Sequence, residues 1–212
     1  MAIFHGNAIP SGATEYDIPN SLRFNDDDSA YLSRTFGTPT NAKIGTFSFW
    51  CKLGKPTTTS STILEEAANN IYVGFDVNST ADFTFGVYLG GQATQQVRIT
   101  SRFFRDHSAW YHIILAFDTT DGSASERLKI YVNGELITDF STSNAVDQNL
   151  DVFTNTVHYF GSYSGTNEFY DGYLAEVNFV DGQALTPADF GETDETYGHW
   201  KAIAYTGTYG TN

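Results

Sequence analysis

Cysteine, methionine and basic residues are all scarce in this chain, and each scarcity removes a class of protein. Cys51 is the only cysteine, so there is no intrachain disulfide and no cysteine metal cluster. Within the apolar run Phe47–Leu53 a buried, inert thiol is the expected state. Eleven Lys and Arg stand against 25 Asp and Glu in 212 residues, a formal net charge of −14. That balance argues against nucleic-acid binding, which needs cations clustered against phosphate. It suits a self-repelling surface or a cationic partner. No stretch approaches the roughly 18 apolar residues of a membrane-spanning helix, so no membrane insertion is expected. The opening MAIFHGNAIPSG has neither a basic leader nor a long apolar core. It is therefore no signal peptide, and synthesis in a cytosol without a classical secretion signal is expected. No internal repeat is visible, which argues against propellers and solenoids.

What the chain has in quantity is aromatic residues, glycine and short runs of alternating polarity, a β composition. The clearest run is Trp110–Asp118, where Tyr111, Ile113, Leu115 and Phe117 alternate with Trp110, His112, Ile114 and Ala116. A period of two places these sets on opposite faces of a strand. Leu128, Ile130 and Val132 repeat the pattern, and Asn133-Gly134 offers the two positive-φ residues of a type I′ hairpin turn. Further strands are predicted at Ser21–Phe24, Ala30–Arg34, Thr46–Leu53, Ile71–Val77, Phe83–Leu89, Gln96–Ser101, His158–Gly161 and Tyr173–Val180. Thr46–Leu53 is apolar on both faces, as a central strand covered on both sides would be. Lys55–Thr62 and Ser141–Leu150 read as polar loops, and Asn78–Asp82 and Gly90-Gly91 as turns. The helical signal is one turn at Thr186–Phe190, with Thr186 as N-cap, Pro187 at the first helical position and Gly191 ending it. Many short strands with polar turns give an all-β, two-sheet antiparallel sandwich with one short helical turn near the C-terminus. The domain spans 21–191. Residues 1–20 form an N-terminal arm, and 192–212 form a tail that leaves the domain.

Catalytic patterns are thin. A retaining glycosidase on this architecture sets Glu-x-Asp-x-x-Glu along one strand, with carboxyls about 5–5.5 Å apart. The nearest stretch, Glu192–Tyr197, lacks the third acid and lies in a predicted loop. Glu176 stands alone on its strand. There is no Gly-x-Ser-x-Gly elbow, and no two of His5, His107, His112, His158 and His199 have the helical metal-pair spacing. His112 is expected to be a hydrogen-bonded structural histidine. Asp26-Asp27-Asp28 invites a calcium reading but lacks the glycine and distal glutamate of a dedicated loop. The plainer reading is a solvated turn, so no metal and no cofactor are expected. Asn78-Ser79-Thr80 is formally a glycosylation sequon. Sugar binding fits the sequence better than catalysis. Tyrosine faces stack on pyranose rings while Asp and Asn bond hydroxyls, and the loop Ser162–Asp171 supplies Tyr163, Asn167, Tyr170 and Asp171. The plainer alternative is a surface loop whose tyrosines pack onto the sheet edge.

The blocks SLRFNDDDSAYLS, FSFWCKL, WYHIILAFDTT…RLKIYVNGELI and GYLAEVNFVDGQALTPADFG follow the order of the laminin-G-like, concanavalin A-like jelly-roll domains. The resemblance runs from about Ser21 to Gly191 and rests mainly on the last two blocks. More narrowly, MAIFHGNAIPSG and WKAIAYTGTYGTN resemble a subgroup in virion structural proteins of tailed bacteriophages, in which the tail usually runs on into another strand. The resemblance implies a non-enzymatic virion component on a fibre, the tail or the capsid surface. Its partners would be other virion proteins and copies of itself, and possible host-surface glycans. Ile3, Phe4 and Ile9 of the arm and Trp200, Tyr205 and Tyr209 of the tail would dock it. A soluble carbohydrate-binding module is the alternative, followed by a glycoside hydrolase.

Overall fold

The computed structural model describes residues 16–54, 60–67, 71–77, 83–90 and 96–211. Ile3, Phe4 and Ile9, the Asn78-Ser79-Thr80 sequon and most of the Lys55–Thr62 loop lie outside them. In chain order the strands are β1 Leu22–Phe24, β2 Leu32–Thr35, β3 Ile44–Leu53, β4 Ser61–Glu66 and β5 Ile71–Val77. They continue with β6 Phe83–Leu89, β7 Gln96–Phe103, β8 Tyr111–Asp118, β9 Leu128–Val132 and β10 Glu135–Leu136. The last five are β11 Phe140–Ser143, β12 Val157–Phe160, β13 Gly172–Asp181, β14 Gly191–Thr193 and β15 Trp200–Ala202.

Two antiparallel sheets hold the core. The six-stranded sheet runs β1-β13-β3-β8-β9-β10 and the seven-stranded sheet β11-β7-β6-β5-β4-β12-β2. Phe47, Phe49 and Cys51 of β3 and Ile113, Leu115 and Phe117 of β8 meet Ile71, Val73, Phe75, Phe85 and Val87 of the facing sheet. The two periods of apolar residues thus close on one another, as a sandwich requires. Cys51 is fully buried, and burial pushes its thiol far above the ordinary range. The short helical turn Pro187–Asp189 carries the expected cap, with the Thr186 hydroxyl and backbone N–H both bonded to Asp189. Asn133 (φ 50°) and Gly134 (φ 83°) form the hairpin turn between β9 and β10.

Three expectations are corrected. β11 takes up the start of the predicted Ser141–Leu150 loop, and β4 begins at the end of the predicted Lys55–Thr62 loop and runs on where no strand is predicted; β4 is buried along its whole length, its acidic end included. The alternation of β13 does not continue unbroken. A bulge between Ala175 and Asn178, with Glu176 at φ 46°, inverts the phase, so Leu174 and Phe179 both face the main core while Val180 faces away. One extra residue in a strand has this effect because the side-chain period is two.

The largest correction concerns the tail, which does not leave the domain. Leu185, Phe190 and Tyr205 pack with Ile114 and Val180 on the outer face of the six-stranded sheet, and β14 pairs with β15 there. Thr46 Oγ1 donates to Gln183 O at 2.8 Å and accepts from Leu185 N at 2.8 Å. Asp181 N donates to Tyr209 O at 2.9 Å. Trp200 sits beside His112: its indole N–H donates to His112 Nδ1 at 2.8 Å, while Trp50 stacks on the imidazole at 4.7 Å and 2°. The physical reason is that this outer face carries Ile114, Val180 and His112, which a solvated sheet would leave wet.

Trp200 is seated against two glycines. A Cβ on Gly134 would come within 2.5 Å of its ring, and one on Gly191 would be closer still. Gly134→Ala is expected to lose roughly 2–4 kcal/mol, from overpacking plus a positive φ. In a Trp200→Ala background only the backbone part should remain. Urea unfolding of the four members of this cycle measures the coupling, and a cost independent of Trp200 would refute the packing argument.

Candidate functional site

The loop between β12 and β13 places the predicted sugar-binding residues in two environments. Tyr163 and Asn167 form an isolated bridge at the surface, Tyr163 N donating to Asn167 O at 2.8 Å. Tyr170 and Asp171 lie inside. Tyr170 is fully buried against Phe24 and donates its hydroxyl to Lys52 O at 2.9 Å. Asp171 is 5% exposed and paired with Arg23. Neither offers a face to a ligand, so both tie the loop to β1 and β3. Trp200, Tyr205 and Tyr209, predicted to dock other proteins, are engaged by their own domain.

What the loop adds is Glu168. Its φ of 49° is unusual for a non-glycine residue and directs the chain back over β4. Thr62 N donates to Glu168 O at 2.9 Å, and the carboxylate accepts from Tyr72 Oη at 3.0 Å and Thr62 Oγ1 at 3.3 Å. On the outer face of the seven-stranded sheet, Tyr72 meets Tyr88 at 5.1 Å and 71°, and Tyr163 at 5.9 Å and 59°. Tyr88 donates to Asp76 Oδ2. Beside the tyrosines, Gly74 pairs with Gly86. A Cβ there would strike Ser61 O or Asp76 Oδ2, so glycine keeps the floor between strands low. The result is a half-buried aromatic patch edged by Asp76 and Glu168.

Its electrostatics follow from crowding. Burial raises the carboxyl of Asp76, and the charge of Glu168 adds to the effect. Both Tyr72 and Tyr88 are held neutral far above the ordinary tyrosine range, by burial first and their carboxylate partners second. Glu65 of β4 is fully buried beneath the loop and accepts Ser164 N at 3.1 Å. Burial lifts it from 4.5 to about 7.

The other catalytic candidates are spoken for. Asp194 caps its turn through Thr196 N and Tyr197 N, both at 2.8 Å, and is bridged by Lys201 at 3.3 Å. Since indole N–H only donates, His112 Nδ1 is the acceptor. The ring proton is on Nε2, 2.9 Å from Ser48 Oγ. Burial lowers this histidine to about 3, so it is neutral. Asp26-Asp27-Asp28 forms a 3-10 turn in which Asn25 Nδ2 donates to Asp28. Among the described residues no three His, Cys, Asp or Glu side chains converge as metal ligands. Tyr72, Tyr88 and Asp76 are missed in the sequence reading, although the period of two in β5 and β6 puts them on one outward face; Glu168 leaves no such signal, because its position follows from the loop.

A family model described as the concanavalin A-like lectin/glucanases superfamily, Laminin_G_3, matches residues 24–190. No curated protein matches. Among solved structures, a native heptameric SAP-like pentraxin from Limulus polyphemus is 17% identical with a TM-score of 0.55, over 74% of this chain and 71% of its own. The enzymatically active domain of bacteriophage CBA120 tailspike protein 2 is 15% identical at 0.56, over 82% of this chain and 26% of its own. The LG1–3 region of the laminin alpha2 chain is 12% identical at 0.52, over 82% of this chain and 34% of its own. The chain thus spans about a quarter to a third of the last two, and at these identities the likeness is one of fold.

The two buried titrating groups predict opposite pH dependences. Glu65 is raised in the fold, so its contribution is complete below pH 4.5 and is lost as pH rises through about 7. His112 is lowered, so its contribution is complete above pH 6.5 and is lost as pH falls towards 3. Glu65→Gln is therefore expected to remove a decline on the order of 3 kcal/mol between pH 4.5 and 7, leaving the rise due to His112. Chemical denaturation across that range checks it; an unchanged profile would place Glu65 in water.

Proposed function

The chain belongs to the concanavalin A-like lectin/glucanases superfamily, and from that premise we propose that it is a non-enzymatic structural module on a bacteriophage virion surface. There it engages host-surface glycans through the outer face of the seven-stranded sheet. The observation that carries the glycan reading is the Tyr72–Tyr88–Tyr163 patch edged by Asp76 and Glu168. Aromatic faces supply stacking area and carboxylates supply acceptors for hydroxyls. Binding without chemistry is favoured by how the acids are held. Glu65, whose carboxyl titrates where a general acid should, is fully buried under the Ser164 turn and reaches no substrate. Asp76 and Glu168 are each held by a tyrosine hydroxyl and a second hydroxyl, from Ser60 or Thr62.

The virion setting rests on the resemblance of the two termini to tailed-phage structural proteins. In this reading the domain is carried as a multimer beside other virion proteins. A soluble carbohydrate-binding module would use the same patch, and locating the chain in an electron-microscopy map of an intact particle separates the two.

A glycan array probed with the purified chain, with and without calcium, tests the binding claim. Specific spots are expected, weakened roughly tenfold or more in Tyr163→Ala, a loss typical of an aromatic anchor. Arrays blank in both conditions, or spots indifferent to Tyr163, would overturn it.

A further inference from the structure

One side of the sandwich is left open. β1 pairs with β13 only over Gly172–Leu174, so beyond its bulge β13 has no further strand on that side among the described residues. β2 ends the facing sheet. Between these two edges lies a groove of about 430 Å³, lined by Leu32, Phe36, Phe47, Phe160, Val177 and Phe179. We propose that this groove is the docking site of the chain's own N-terminal segment, residues 1–15, with Phe4 and Ile9 as the side chains that enter it.

The groove needs a cover because it opens onto the core. Phe47 belongs to the main core, and Phe160 and Phe179 pack against it. Phe36 stacks on Phe179 at 5.1 Å and 18°. Leu32 and Val177, by contrast, are 53% and 43% exposed. An exposed apolar strip continuous with a core marks a contact surface. Beside it, Leu32–Thr35 pair with β12 on one side only. Their other edge presents backbone N–H and C=O groups to which an extended segment can add.

The point where the segment enters identifies the occupant. Upstream of β1 the chain passes Trp50 and Ala175 on the outer face of the six-stranded sheet. There the Tyr16 hydroxyl donates to the Glu176 carboxylate, with Tyr209 close by. Tyr209 also borders the groove, so the segment upstream of Tyr16 starts at its edge. Ile9 and Phe4, at most about 25 Å and 40 Å of extended chain from Tyr16, reach easily across sheets about 10 Å apart. Such a short tether holds the segment at a millimolar effective concentration. Its composition also fits. Residues 1–14 contain no Asp or Glu but include Ile3, Phe4 and Ile9. A second whole domain would instead bring a further charge of −14 against this one. The proposal does not rest on the glycan reading.

Cysteine pairing in the full chain tests it. Phe4→Cys or Ile9→Cys is combined with Val177→Cys; the native Cys51 is fully buried and stays out of the reaction. On mild oxidation at least one pair is expected to close an intramolecular disulfide in the monomer. It should form roughly tenfold or more faster than the same arm cysteine with Leu136→Cys, an exposed position on the opposite edge of the sheet. Phe4→Ser with Ile9→Ser should uncover the groove and raise the fluorescence of the apolar dye ANS about twofold or more. Tyr163→Ala should move neither readout. Disulfides formed only between copies would give the groove to a second copy and overturn the proposal. So would equal rates for the Val177 and Leu136 pairs, or dye fluorescence indifferent to the double variant.

Discussion

The hydrogen bond from Trp200 Nε1 to His112 Nδ1 joins residues 88 apart in sequence and decides what the six-stranded sheet can be. His112 lies on the outer face of β8, where a solvated imidazole would be ordinary. Covered by the C-terminal segment it must be neutral and must satisfy both nitrogens, because an unpaired buried polar group costs about 1–3 kcal/mol. Trp200 satisfies one and Ser48 the other. The same indole needs empty space where Gly134 and Gly191 lack side chains. A hairpin turn, a helix-ending residue, a central strand and the tail are therefore mutually constrained. Ile114, Val180 and Phe190 form a second, smaller core under that cover.

Covering one sheet leaves an asymmetry. The outer face of the six-stranded sheet is largely occupied by residues 183–209, while the seven-stranded sheet turns Tyr72, Tyr88, Asp76 and Glu168 outward with no comparable layer over them among the described residues. A flat antiparallel face in water would ordinarily carry short polar residues. Here the same positions carry aromatic rings whose hydroxyls are already bonded to carboxylates. The rings are half-buried and their carboxylate partners are held in place, and the proposed glycan reading rests on that arrangement.

How far the sequence discloses this differs by residue. Tyr111, Ile113, Leu115 and Phe117 announce their face because a pleated strand has only two sides, and nearly every strand so marked exists. The phase of β13 is invisible beyond Glu176, since a bulge is one residue in an otherwise perfect alternation. β4 hides because its last residues, Glu65 and Glu66, are buried acids, and burial of charge contradicts every compositional expectation. Tyr170 and Asp171 look no different in sequence from the half-buried Tyr163 and the exposed Asn167; only the Arg23 pairing and the bond to Lys52 O separate them. The tail has the same ambiguity. Its Gly, Thr and Tyr content reads as a linker until Trp200 is seen to find His112.

Glu168 shows how the loop and the patch became one object. A non-glycine residue at positive φ costs on the order of 1 kcal/mol or more, and nothing in the hydrophobic core requires it. The conformation lets one residue bond β4 twice, through its carbonyl to Thr62 N and through its carboxylate to Thr62 Oγ1, while the carboxylate also reaches Tyr72. Charge-assisted bonds of this kind are about twice as strong as neutral ones, enough to offset the strain. They also fix the height of the loop, so that Tyr163 meets Tyr72 rather than solvent. The position of Tyr163 therefore depends on a strained backbone bonded to Thr62, the residue of β4 that pairs with Gly74 of β5. An aliphatic residue in place of Glu168 would lose the loop before it lost the sheet.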